Sequence, residues 1–202
     1  MRGLEDLGRT RLSRHFYLRD FLHSEISQIY GIPNIPDNPA LAIRLGSQFC
    51  QHLLDPLSDT FGRIGVRSGY RSAALNAFGN QHKLNCARND YPEECHIWDL
   101  PGANVAGASI AIPWFADQYA KGRDWRDLAW WLHDHLPYSE MWFFPKLCAF
   151  NLSWRPDPWR KISSYIAPRG TLLARGADPD EALPQRQARY ADFPPMFGLT
   201  LG

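Results

Sequence analysis

The chain has 202 residues, 45% of them hydrophobic, and a formal net charge of +1. This length and composition suit one compact domain with a substantial core. The near-neutral charge gives no reason to expect nucleic acid as a partner, and no apolar run approaches the ~20 residues that a membrane span requires. No charged-then-apolar leader opens the chain, so we expect a protein that leaves a cell by lysis or inside a larger assembly.

The first part of the chain is predicted to be helical. The stretch YLRDFLHSEISQIYG predicts one amphipathic helix that ends at Gly31. Its apolar face comprises Phe21, Leu22, Ile26 and Ile29. Asn38 is expected to cap a longer helix that has Pro39 at its first position, and Pro56 is expected to kink or interrupt that helix.

The middle of the chain alternates between strand and helix signals. RIGVRSGYR predicts a short strand that enters a turn, and SAALNAF predicts a short helix. After a polar loop from Gly79 to about Cys95, the segments HIWDL and GASIAI predict two strands. Asp124 is expected to cap the helix WRDLAWWLHDH. The segments SEMWFF, KLCAFNLSW and RKISSYIA are rich in aromatic and β-branched residues and predict an antiparallel meander.

These elements predict an α+β fold over residues 1–174, with a small antiparallel sheet and the N-terminal helices packed on it. Residues 175–202 show little periodicity and are predicted to form an extended tail. The end of this tail collects the apolar side chains of Phe193, Met196, Phe197, Leu199 and Leu201. Because such side chains gain free energy on burial, we expect the tail to pack on its own domain or, as the preferred alternative, on a neighbouring subunit.

The four cysteines form no C-x-x-C pair, so a zinc knuckle is not indicated. Cys86 and Cys95 bracket the polar loop, and two states are open for them. They could form a disulfide, or they could be free buried thiols, which is the better interpretation for an intracellular product.

Three motifs carry a resemblance to a known family. LSRHFYLRDFLHSE, LLDPL and, most sharply, VRSGYRSAALN resemble segments of the zinc D-alanyl-D-alanine carboxypeptidase and endolysin family, the peptidoglycan peptidases of bacteria and phages. The resemblance covers roughly residues 12–165. It implies that Arg71 holds a peptide carboxylate, with Tyr70 beside it in recognition, and a planar guanidinium suits that role. The alternative for Arg71 is a structural salt bridge.

The same resemblance implies a zinc site, and here the chain departs from the family pattern. The first histidine ligand falls at His96 and the aspartate ligand at Ala111. The second histidine falls at Asn151 and the glutamate base at about Phe144. Neither alanine nor phenylalanine can bind zinc or move a proton, and asparagine is a poor zinc ligand. The predicted protein therefore holds no metal and no other cofactor.

Two alternative ligand sets would restore zinc as the cofactor. His82 could be the first ligand, with Asn89 or Asp90 near the aspartate spacing. His96 and Asp99 could instead form a local pair, although a three-residue step on a strand points two side chains to opposite faces.

The predicted function is non-catalytic. We expect a peptidase-fold protein that serves as a structural component of a phage or phage-derived particle, in the virion or its tail, with other subunits of that assembly as partners. One alternative is an active zinc-dependent peptidoglycan peptidase, cytoplasmic until lysis releases it. The other is a peptidoglycan-binding module that keeps Tyr70 and Arg71 for recognition without cleavage.

Overall fold

A computed structural model describes residues 2–197 and confirms the α+β class. Its centre is a six-stranded mixed sheet with helices packed against it. Within the described residues no helix is both long and apolar enough to cross a membrane. All four cysteines are free thiols, so Cys86 and Cys95 do not form the disulfide that the sequence left open. Leu199 and Leu201 of the predicted tail lie outside the described residues.

The elements follow one another along the chain with short connections. The α-helices are α1 (Arg2–Gly8), α2 (Arg19–Leu22), α3 (Glu25–Tyr30), α4 (Pro39–Phe49), α5 (Asp55–Phe61), α6 (Ala73–Gln81), α7 (Pro113–Ala120), α8 (Trp125–His135) and α9 (Leu183–Arg189). The strands are β1 (Gly65–Ser68), β2 (Ala106–Ala111), β3 (Glu140–Phe143), β4 (Phe150–Trp154), β5 (Lys161–Ser164) and β6 (Gly170–Leu173). A π-helical turn, Cys50–Leu54, joins α4 to α5, and a 3-10 turn, Lys146–Cys148, precedes β4.

The prediction of one helix between Tyr17 and Gly31 is wrong, because the segment forms two short helices. Ser24 lies between them in an extended conformation, and its hydroxyl accepts a hydrogen bond from the backbone N of Ser27. Serine competes well for such capping bonds, so it starts a new helix and does not continue the old one. The break turns Ile29 out to solvent, away from the apolar face expected for it.

The predicted long helix is confirmed in its start and in its interruption. The side chain of Asn38 accepts a hydrogen bond from the backbone N of Leu41 at 3.1 Å and caps α4. The interruption is the π-helical turn before Pro56. Proline has no N–H to donate to the preceding turn, and a wider turn absorbs the missing bond without ending the helix. Leu45, Phe49 and Leu53 of this long segment are fully buried in the core.

The strand order in the sheet is β1-β2-β4-β3-β5-β6. Neighbouring strands are antiparallel except β3 and β5, which are parallel. The predicted meander is therefore correct for β3 and β4 and wrong for β5, and β6 was not predicted. HIWDL does not form a strand either. Its residues instead make separate hydrogen bonds to other segments, and the Trp98 indole donates one to the carbonyl of Gly107 at 2.9 Å.

The segment after Arg175 differs from the predicted extended tail, since it contains α9. Pro184 in the first turn and the Gln185 side chain, which accepts from the backbone N of Ala182, favour a helix start. Arg186 pairs with Asp134 of α8, and this contact ties the segment to its own chain. Arg186, Tyr190 and Phe193 of this segment are thus buried against their own domain.

Phe193 anchors this segment in the core, whereas Phe197 four residues later is largely solvent-exposed. Phe193 is 8% exposed and its ring lies 5.1 Å from that of Trp114 and 5.8 Å from that of Phe115, while Phe197 is 57% exposed. We expect Phe193→Ala to lower the free energy of unfolding by about 3 kcal/mol, because it leaves a cavity. Phe197→Ala is the matched control and should change it by less than about 0.5 kcal/mol.

Urea denaturation followed by tryptophan fluorescence measures both variants. Equal effects of the two substitutions would show that the segment does not dock on the core as described.

Candidate functional site

One face of the sheet opens into a cleft of about 740 Å³. Strands β3 and β4 form its floor, and the loop before β2 forms a rim. Arg71, His96 and Asn151 line the cleft, and so do the carboxylates of Glu93, Glu94 and Glu140, which form its acidic part. The remaining wall is aromatic and consists of Tyr91, Trp142, Phe144 and Tyr165. The cleft thus combines one fixed cation, several carboxylates and apolar surface, which is the composition of a ligand site.

The turn that carries Arg71 is held by a clamp with His96. The backbone N of Arg71 donates to the carbonyl of His96 at 2.9 Å, and Nδ1 of His96 lies 2.7 Å from the carbonyl of Gly69. Gly69 is required here, because a Cβ atom at this position would lie 2.6 Å from the backbone of Phe21. Asn34 adds a second support by donating to the carbonyl of Tyr70 at 2.9 Å.

Tyr70 is not available to a ligand, so its predicted role in substrate recognition is wrong. The side chain is 0% exposed, and its hydroxyl donates to Asp99 at 2.9 Å. Asp99 also accepts from the backbone N of Asn38 at 2.9 Å. Both residues therefore belong to the support of the turn. The alternative pairing of His96 with Asp99 around a metal does not occur, because both oxygens of Asp99 already have partners and the side chain does not line the cleft.

Arg71 points into the cleft without a carboxylate partner. Nη1 donates to Oδ1 of Asn76 at 2.7 Å, and Nη2 makes a long contact of 3.5 Å to the hydroxyl of Ser68. Within residues 2–197 no carboxylate lies within 4 Å of the guanidinium, so the predicted structural salt bridge does not form. A guanidinium has five N–H donors. The neutral contacts orient the Arg71 side chain and leave donors directed at the cleft.

Of the predicted metal-site positions, His96, Phe144 and Asn151 come together in the cleft, but Ala111 does not. The residue directly opposite Asn151 on β2 is Ser109. Residues opposite each other on antiparallel strands share a face and lie 4.5–5.5 Å apart at Cβ. The position on β2 that faces Asn151 is therefore Ser109 and not Ala111.

This set of side chains does not fit zinc. His96 is the one strong zinc ligand among the four positions, since serine, asparagine and phenylalanine are not. Within the described part of the chain no three His, Cys, Asp or Glu side chains are grouped to hold a metal ion.

The alternative zinc ligand set, His82 with Asn89 or Asp90, does not come together in the structure either. Its ring stacks on Phe78 at 3.9 Å on the protein surface, away from the cleft lining. Asn89 donates to the carbonyl of Ala73, and Asp90 pairs with Arg88. Each of the residues proposed for this ligand set therefore has a local structural role.

The acidic part of the cleft was not predicted from the sequence. Glu140 on β3 has its pKa raised to about 7, first by burial and second by the neighbouring charge of Glu93. Lys161 opposes this shift: it pairs with Glu93 and lies 3.6 Å from Glu140. Burial also raises the pKa of Glu94, which accepts from the backbone N of His96 at 2.7 Å. The run YPEECH contains two of these carboxylates, but only the fold shows that they line the same cleft as Glu140 and that the charge of Glu93 acts on it.

His96 is held in its neutral form. Burial, followed by the charge of Arg71, lowers the pKa of His96 to about 3. Because Nδ1 faces the carbonyl of Gly69, that nitrogen carries the proton. Nε2 is then a hydrogen-bond acceptor on the ring edge that faces the cleft.

The raised pKa of Glu140 makes stability depend on pH. Between the ordinary value of 4.5 and about 7 the folded state binds more protons than the unfolded state, so ionisation of Glu140 removes stability as the pH rises through 7. Glu93, Lys161 and Arg155 are the charged groups around it. We expect Glu140→Gln to raise the free energy of unfolding relative to the wild type at pH 8 more than at pH 5.

Urea titrations at the two pH values measure this difference. Asp157→Asn, at an exposed position between β4 and β5, is the control and should show none. If Glu140→Gln changed the free energy of unfolding by the same amount at pH 5 and pH 8, the raised pKa of Glu140 would be contradicted.

The register of β2 and β4 predicts where a metal site can be rebuilt. We expect the double variant Ser109→Asp/Asn151→His to bind about one zinc ion per chain, because a carboxylate and an imidazole would then face each other beside His96. The double variant Ala111→Asp/Asn151→His should bind zinc more weakly. Metal analysis after dialysis distinguishes the two, and stronger binding by the Ala111 pair would show that the cross-strand assignment is wrong.

Comparison with known proteins finds no family model, no curated protein and no solved structure that matches this chain. The resemblance to zinc peptidases therefore rests on the sequence motifs alone. Within the described residues, the cleft offers a ligand the guanidinium of Arg71, several carboxylates and an aromatic wall.

Proposed function

We propose that the protein is a non-catalytic binding module that holds the carboxylate end of a short peptide in the cleft. The observation that carries this proposal is the Arg71 guanidinium, which faces the cleft with no carboxylate partner in the described chain. An arginine oriented by neutral groups keeps its full charge for an anion, and its planar donors match a carboxylate.

The resemblance of VRSGYRSAALN to the carboxypeptidase family suggests which peptides to consider. A DD-carboxypeptidase-like fold would place Arg71 against the terminal carboxylate of a peptidoglycan stem peptide. The cleft of about 740 Å³ lies in the size range of small-molecule sites. The aromatic wall around Trp142 and Tyr165 supplies apolar contact for the rest of the peptide.

Binding without cleavage is the better conclusion because the reacting groups of a zinc peptidase have no counterpart. By the resemblance, Phe144 falls at the position of the proton-transferring glutamate and Asn151 at that of a metal-binding histidine, and the residue that faces Asn151 is Ser109. None of the three can acidify a water or take its proton at neutral pH.

A structural role in a phage or phage-derived particle stays a prediction. One argument for it is the apolar tail, for which the sequence favours a neighbouring subunit as the surface to pack on. Tyr190 and Phe193 of that tail are covered by their own domain, which removes this argument as far as the described residues go. A particle component and a peptide-binding module are compatible, since a virion protein can carry such a cleft.

Isothermal titration with diacetyl-Lys-D-Ala-D-Ala tests the proposal. We expect measurable binding, a loss of about 10-fold or more in affinity for Arg71→Ala, and a similar loss when the peptide carries a C-terminal amide, since a charged hydrogen bond contributes about 1.5–3 kcal/mol. Arg88→Ala is the matched control, because this exposed arginine pairs with Asp90 outside the Arg71 part of the cleft.

Two results would overturn the proposal. Equal affinity for the acid and the amide would show that Arg71 does not hold a carboxylate. Release of D-alanine that depends on added zinc would show that the protein is a peptidase after all. Thermal unfolding of Arg71→Ala, which also loses the contact to Asn76, controls for misfolding.

A further inference from the structure

Ion pairs within the described residues compensate the carboxylates in the acidic part of the cleft only in part. Three carboxylates line it, those of Glu93, Glu94 and Glu140, and the charges of Arg71, Lys161 and Arg155 act on them. Lys161 is shared between Glu93 and Glu140. Glu94 forms no ion pair within the described residues, although it is only 7% exposed. The charge of Arg71 acts on Glu94 from beyond ion-pair distance, and burial still raises the pKa of Glu94. A buried carboxylate without a close counter-ion is costly, and a bound cation would relieve that cost.

His96 gives an independent indication of the ligand. The side chain is 4% exposed, and its Nδ1 is used by the carbonyl of Gly69. The other ring nitrogen, Nε2, has no hydrogen-bond partner in the described chain. It presents a lone pair to the cleft, so it can accept a hydrogen bond from a ligand but cannot donate one. An anion would be repelled here, whereas an N–H group would be bound.

The aromatic wall favours an organic ammonium over an inorganic cation. The ring of Trp142 lies 5.2 Å from that of Tyr165, and Tyr165 lies 5.8 Å from Phe144. The ammonium of Lys161 already lies 5.8 Å from the centre of the Trp142 ring. Aromatic faces attract ammonium groups, and their apolar surface also covers the carbon chain that carries the charge. A hydrated metal ion would gain nothing from this wall.

We infer that the acidic end of the cleft, formed by Glu94, Glu140 and Nε2 of His96, binds an ammonium group of the same peptide whose carboxylate Arg71 holds. The inference rests on the proposed function and names the class of ligand: a short zwitterionic peptide. The ammonium could be a free α-amino group or a lysine-type side chain, and both present the same N–H donors to these acceptors.

Three peptides separate these sources. Lys-D-Ala-D-Ala is compared at pH 8 in three forms: acetylated on both nitrogens, on the α-nitrogen alone, or on the side-chain nitrogen alone. All three keep the terminal carboxylate for Arg71. We expect one of the mono-acetylated peptides to bind about 10-fold or more tightly than the diacetyl peptide, because its charged hydrogen bonds to the acidic end are restored.

Glu140→Gln identifies the site of that gain. In this variant the ratio of the two affinities, free amine to diacetyl peptide, should fall to about 3-fold or less, whatever the variant does to the affinity for the diacetyl peptide itself. Asp157→Asn, at an exposed position outside the cleft lining, should keep the full advantage. The wild-type comparison of peptides stands on its own if the Glu140 variant does not fold.

The failures of the two proposals are distinguishable. If all three peptides bind equally and still require both Arg71 and a free carboxylate, the ammonium inference is wrong and the proposed function stands. If the amidated peptide binds as well as the acid, the proposed function fails and the inference fails with it. Loss of the amine advantage in millimolar calcium, with no loss in sodium of equal ionic strength, would instead show that the acidic end is a metal site.

Discussion

The clamp between the turn at residues 69–71 and His96 is the contact on which the cleft depends. One backbone bond and one side-chain bond join the two segments, from Arg71 to His96 and from His96 back to Gly69. The turn fits only because Gly69 lets the backbone of Phe21 approach it. Successive residues of the turn then face opposite ways: Tyr70 enters the core against Asp99, and Arg71 enters the cleft.

The same clamp determines the chemistry of the cleft. It fixes the proton of His96 on Nδ1, so Nε2 on the ring edge that faces the cleft is a hydrogen-bond acceptor. Burial of the ring, together with the charge of Arg71, keeps the imidazole uncharged. A neutral acceptor beside a free guanidinium can contact the two ends of a zwitterion. The polar row across the sheet, from Ser68 through Ser109 to Asn151, carries no charge of its own.

Local signals predicted local structure well. The cap at Asn38, the interruption at Pro56 and the strand before the SGYR turn depend on residues close in sequence, and each was predicted. Partners distant in sequence were not predicted. The parallel pairing of β5 with β3 requires a crossover that no local pattern reports, and the choice between Ser109 and Ala111 depends on the register with β4. In the sequence, Glu140 is one polar residue of an alternating strand. Its raised pKa arises from burial and from the charge of Glu93, and both depend on the tertiary fold.

The charges of the cleft are better explained by a ligand than by stability. The fold opposes ionisation of Glu140, so this carboxylate removes stability at neutral pH where a glutamine would not. Arg71 likewise donates its hydrogen bonds to the neutral oxygens of Asn76 and Ser68. Groups held at such a cost in a cleft are typical of functional sites. Structural ion pairs also shift pKa values, but within the described residues Arg71 and Glu94 line one cleft and form no ion pair with each other. A zwitterionic ligand would complement both, because its carboxylate suits the guanidinium and its ammonium suits the buried carboxylate.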